Sequence, residues 1–186
     1  MINLSKQQRS SVSDETARAL ETLISGEVRR YHAAPTVAPQ TIAAHCWGVA
    51  MILYYIEPAI PLRVLMEALL HDVGEAYAGD MTFTAKRDNP GLKDVMHDIE
   101  HKARSAFFLE GPRPFPVEQS WVSLLKVADT LDGLWWCYRA ERGRLIFERW
   151  DESYCIARTK FAQHLTHERW ERADALYRYI LTQSRS

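Results

Sequence analysis

The chain has 186 residues, which suits one domain built on one core. Hydrophobic residues make up 47% and charged residues 25%, an ordinary soluble composition that excludes a disordered acidic chain. Lys+Arg 23 against Asp+Glu 24 leaves a formal net charge of -1, which excludes a general nucleic-acid binder but allows a local cationic pocket. The opening MINLSKQQRSSVSDE has no apolar signal core. The longest apolar run, about residues 49–56, is far shorter than the ~20 residues that span a bilayer. Cys46, Cys137 and Cys155 form no CxxC pair. A reducing cytoplasm, its own or a host's, is the expected compartment, with no membrane partner.

Eight prolines fall in clusters, and each cluster ends one expected helix and precedes another. The first helix is expected over about 13–30, with Ala17, Leu20, Leu23 and Ile24 on one face. Residues 31–40 read as a loop. A second helix spans about 41–56, and a third about 62–77, carrying VLMEALLHDVGEAY. Residues 78–91 read as a loop, a fourth helix covers about 92–109, and a Pro-rich stretch follows at 111–116. A fifth helix spans about 117–141 and a sixth about 152–183. No segment shows convincing period-two strand patterning. The expected fold is all-α, a single domain over 1–186 with five to seven helices.

Chemistry concentrates in a few places. His71-Asp72 lies in the third helix among Ala68, Leu69, Leu70 and Val73, and buried ionisable groups need a partner or a metal. A bare His-Asp pair is weak evidence, because chance alone supplies on the order of 0.4 such pairs here; a second, His97-Asp98, lies in a charged helix. His97 and His101 also stand at i, i+4, but the zinc-protease pattern needs Glu where this chain has Asp98. His45, in TIAAHCWGVA, and Asp129, in LLKVADTLDGLWW, change the weight of His71-Asp72. Each alone reads as a satisfied core residue, Asp129 as the partner of Lys126. Together the four offer two imidazoles and two carboxylates from three helices. Such a set suits Mn, Fe, Co, Ni or Zn, with positions left for water and substrate.

Glu75 stands four residues after His71 and is a candidate to orient or deprotonate a water. Asp80, after Gly79, reads either as part of that site or as a turn former. Arg29, Arg30, Lys86, Arg87 and Lys126 read singly as surface charges or helix-end caps. If they converge they form a site for phosphate oxygens.

An early His, then His-Asp, then a distant Asp in an all-α chain resembles the HD-domain metal-dependent phosphohydrolases. The stretch ALLHDVGEAYAGDMTFTAK, the Arg-aromatic pair fifteen residues before His45, and Lys126-Val-Ala-Asp129 are similar to the small 5'-deoxynucleotidase branch. The RRYH…QT…HCWGVA segment looks most like phage-encoded members, including dATP triphosphohydrolases of phages that replace adenine by 2-aminoadenine. The resemblance covers about residues 25–140. It implies an HD-domain helical bundle in which His45, His71, Asp72 and Asp129 hold a divalent ion (Zn, Co or Mn). It further implies that Glu75 and Asp80 serve the attacking water, that Arg30, Lys86 and Lys126 bind phosphates, and that Tyr31 stands beside the sugar. The family usually has tryptophan at that last place, so Tyr31 leaves strict deoxyribose selection open. The implied partner is a small nucleotide, dATP in the sharpest form, and the implied assembly a homo-oligomer. A deoxynucleoside 5'-monophosphatase is the near alternative, and a non-catalytic nucleotide-binding module the distant one. The tryptophans of the last third, Trp121, Trp135, Trp136, Trp150 and Trp170, either fill the core or line a subunit interface.

Overall fold

The computed structural model describes residues 23–32, 38–79, 81–82, 85, 88–89, 91–92, 94–96, 98–99, 118–139 and 144–183. Its elements in chain order are β1 (Arg29–Arg30), β2 (Gln40–Thr41), α1 (Ile42–Ile56), α2 (Leu62–Leu70), α3 (Glu75–Ala78), α4 (Gln119–Arg139), α5 (Arg144–Lys160) and α6 (His167–Gln183). The architecture is the expected helical bundle. No helix among the described residues is long and apolar enough to cross a membrane. Most of the expected first helix, and much of the fourth, lie outside the described residues.

α1 begins at Thr41, whose hydroxyl accepts from the Ala44 N–H at 3.2 Å and so satisfies one of the four orphan donors of the first turn. The helix buries Val49, Leu53 and Ile56 on one face. They meet Leu124, Val127, Leu131 and Leu134 of α4, with Val64 and Ala68 of α2 closing one side and Trp170, Ala173 and Ile180 of α6 another. A fully buried Leu or Val contributes about 1.5–3 kcal/mol, so this α1–α4 seam is the main apolar stabilisation near the site. α4 lies against α1, α5 and α6 and is the central element. At Gly133 it approaches α5 so closely that an added Cβ would lie 2.5 Å from the Trp150 ring. Trp121 and Trp170 are buried, and Trp135 and Trp150 pack against the core, so core filling is the use these four indoles have.

Three local expectations are corrected. The chain leaves helix after Ser25, turning at Gly26 and Glu27, and residues 29–30 and 40–41 form a two-residue antiparallel ladder, with Arg29 opposite Thr41 and Arg30 opposite Gln40. A ladder this short carries no readable alternation. The third helix breaks at residues 71–74, where Val73 N–H bonds to Leu70 O at 3.2 Å in a turn, and α3 restarts at Glu75. His71-Asp72 therefore sits in a helix–turn junction and not within a helix. The sixth helix is two: α5 ends at Lys160, and Thr166 caps α6 by accepting from Arg169 N–H at 3.4 Å.

Candidate metal and phosphate site

α1, the α2–α3 junction and α4 bring four side chains to one point. His45 Nε2 lies 3.2 Å from His71 Nε2, 3.2 Å from Asp129 Oδ1 and 3.4 Å from Asp72 Oδ2. His71 Nε2 lies 3.4 Å from Asp72 Oδ1. Donors about 2.1 Å from a shared ion stand about 3.0 Å apart at a right angle and about 3.4 Å apart at the tetrahedral angle. The observed separations fall in that window. His45, His71 and Asp72 offer ligand atoms that all lie within 4.8 Å of one another, and Asp129 joins through its contact with His45.

The hydrogen bonds on the far side of each ring fix what faces the centre. His71 Nδ1 lies 2.7 Å from Ala68 O, an acceptor only, so Nδ1 carries the proton and Nε2 presents a lone pair. His45 Nδ1 lies 2.7 Å from Asp132 Oδ2, so Nδ1 carries a proton here too and Nε2 is the atom that faces the centre. Two carboxylates and two ring nitrogens facing one another repel unless positive charge lies between them, either a proton on His45 Nε2 or a metal ion that replaces it. Burial and Arg30 oppose a charge on His45, yet its bonds to Asp129, Asp132 and Asp72 raise its pKa to about 10. Burial alone would raise Asp72, but His71, His45 and Arg30 hold it well below the usual carboxylate range. Asp129 is likewise held down, by Lys126, His45 and His71 against burial. The donor set thus fits a divalent cation. The Cys46 thiol lies 3.8 Å from His71 Nδ1, on the side of the ring away from the centre, and burial with Asp72 pushes it up to about 12.

Positive charge borders the acids. Lys126 Nζ lies 3.3 Å from Asp129 Oδ2 and is half-exposed, so Asp129 offers one oxygen to the centre and the other to an ammonium. That carboxylate raises the lysine's pKa. Arg30 is buried; burial opposes its charge, but Tyr31, Asp129, Asp72 and Glu75 raise its pKa and keep it a cation. Glu75 is buried at the start of α3, its N–H bonded to Asp72 O at 2.9 Å. Tyr31 has φ 64, a left-handed backbone that costs a bulky residue about 1–3 kcal/mol and persists only where the surroundings enforce it. Tyr31 directly follows the Arg30–Gln40 pair of the ladder, and the Arg30 guanidinium carbon lies 5.5 Å from the centroid of its ring. Asp80, Lys86, Arg87, His97 and His101 lie outside the described residues.

Two residues at the site escape sequence reasoning. Asp132, one turn beyond Asp129 on α4, sits behind His45, and Gln40 Nε2 donates to its Oδ2 at 2.8 Å. A second acid in the apolar run LLKVADTLDGLWW was the available signal for Asp132; nothing in the sequence marks Gln40. Gly48, one turn after His45, makes room for Asp132: a Cβ built there would overlap its Oδ1.

Comparisons with known proteins bear on the family and the fold. A family model described as 5'-deoxynucleotidase YfbR-like matches residues 26–153. Among solved structures the chain is similar to the cyanophage S-2L HD phosphohydrolase DatZ bound to dA and one catalytic Zn2+ ion. That match has a TM-score of 0.64 at 20% identity and covers 88% of this chain and 96% of that one. No curated protein matches the chain significantly. The matched span holds His45, His71, Asp72, Glu75 and Asp129, and the chain belongs to the YfbR-like 5'-deoxynucleotidase family, the HD-type metal-dependent phosphohydrolases of deoxynucleotides.

Proposed function

We propose that this chain hydrolyses dATP to deoxyadenosine and triphosphate and so shapes a deoxynucleotide pool, as an enzyme of a 2-aminoadenine phage acting in its host's cytoplasm. The observation that carries the metal-hydrolase core is the convergence of His45 Nε2, His71 Nε2, Asp72 and Asp129, with both Nδ1 atoms bonded away from the centre. The triphosphate form is supported by the likeness to a phage phosphohydrolase whose structure holds dA and zinc.

A divalent ion in this donor set supplies a Lewis acid for a phosphoryl oxygen and lowers the pKa of a water. The protein does the rest. Lys126 and Arg30 offset charge on the phosphate oxygens. Glu75 takes the proton from the water that attacks the α-phosphorus in line. The bond from α-phosphorus to the 5'-oxygen breaks, and the nucleoside leaves as an alcohol after taking up a proton. Asp80 and Lys86 belong to this reading as a second water-orienting carboxylate and a second phosphate-binding cation. Tyr31 belongs to it as the aromatic group nearest the sugar.

The second reading, a deoxynucleoside 5'-monophosphatase, is supported by the family description. Purified protein given dAMP, dATP or ATP with Zn, Co or Mn separates the two. The first reading expects triphosphate from dATP and little turnover of ATP. Orthophosphate from dAMP with dATP untouched establishes the second instead. No hydrolysis of any nucleotide with any of the three ions sinks both.

Self-association is part of the same proposal. Trp47, Met51, Tyr54 and Tyr55 form an exposed stripe on α1, and Leu62, Met66 and Leu69 another on α2. Apolar stripes of this kind mark surfaces that a second copy covers. Light scattering is expected to give a multiple of 21.5 kDa, and a monomer at assay concentration refutes it.

A further inference from the structure

The residues behind His45 form a chain in which the direction of each hydrogen bond is fixed. Arg30 NH1 lies 3.3 Å from Gln40 Oε1, and Arg is a donor only, so the amide oxygen faces Arg30. The Gln40 amide nitrogen must then face Asp132, which it does at 2.8 Å. Asp132 Oδ2 therefore accepts from Gln40 and from His45 Nδ1–H, and Nε2 of His45 is turned to the centre. The β1–β2 register sets this up, because Arg30 and Gln40 are cross-strand partners. All four side chains are buried: Arg30 8%, Gln40 1%, His45 0% and Asp132 5% exposed. The notch at Gly48 admits the carboxylate.

We infer that Asp132, held by Gln40, is the positioning residue of the site: it fixes the tautomer and direction of the His45 ring and makes that ring a stronger donor to a cation. A buried carboxylate placed only to be satisfied would not need a notch in the facing helix, nor an oriented amide whose own orientation is set by a cation. Groups in this relation to a metal-binding imidazole commonly change metal affinity about 10–100-fold. The inference rests on the reading of His45 as a metal donor.

Asp132→Asn tests it, because both bonds to Asp132 fall on one oxygen and the asparagine carbonyl can keep them while the charge is lost. Gln40→Met removes the hold on Asp132 at similar volume. Zn or Co alone is the probe, titrated against a competing chelator, with circular dichroism and melting to establish that each variant folds. Asp132→Asn is expected to weaken binding about 10–100-fold, and Gln40→Met less, because it removes one of the two bonds that hold the carboxylate and leaves its charge. The hydrogen-bonded imidazole N–H proton resonance of His45, identified by its loss in His45→Ala, is expected to move upfield in Asp132→Asn. Folded variants with metal affinity within twofold of the original and an unmoved N–H resonance overturn the inference. If the unaltered protein binds neither ion, the metal reading itself fails and takes this inference with it.

Discussion

Asp129→Ala is expected to reduce kcat by about a thousandfold or more, because metal-assisted charge stabilisation is worth several kcal/mol and each 1.4 kcal/mol is a factor of ten. Two effects add. The centre loses the oxygen that stands 3.2 Å from His45 Nε2, and Lys126 loses the carboxylate that holds its ammonium at 3.3 Å. The fold should survive, since the α1–α4 seam is carried by Leu124, Val127, Leu131 and Leu134 on the same helix. Metal content by mass spectrometry, circular dichroism and hydrolysis of the preferred deoxynucleotide check this together. Full activity in a folded Asp129→Ala protein would end the metal-hydrolase reading.

Glu75→Gln is expected to show the opposite pairing: kcat down by about 100- to 10,000-fold, the usual worth of a positioned general base, with metal content unchanged. Glu75 starts its own short helix beyond the turn that carries His71 and Asp72, and it is not among the grouped donors. Its carboxylate is close enough to Arg30 to help keep that guanidinium charged. Loss of metal along with activity would instead make Glu75 a ligand and leave the proton without an acceptor. The contrast between the two variants separates holding the ion from handling the water.

Much of this was legible in the sequence, for physical reasons. His45, His71-Asp72 and Asp129 stand out because each is ionisable beside an apolar run, and such groups must find a partner. The break after Leu70 was hidden because no Pro stands in it and Gly74 comes only at its end. The division between α5 and α6 was hidden because FAQHLT contains neither Gly nor Pro, and Thr166 announces its cap only through a weak hydroxyl signal. Arg30 read as a helix-end charge because a two-residue ladder has no periodicity. Asp132 and Gln40 went unseen because their meaning depends on a contact between positions 92 residues apart.

Gly48 sets a limit on how the sequence can change. It has no functional group, yet every other amino acid would bring a carbon into the space that the Asp132 carboxylate fills. A single added methyl, of no chemical reactivity, would therefore unsettle the metal centre from behind. Drift at position 48 is closed unless position 132 changes with it, so the two should vary as a pair. A redesign that stiffened α1 by the usual glycine-to-alanine exchange would trade helix propensity for the orientation of His45.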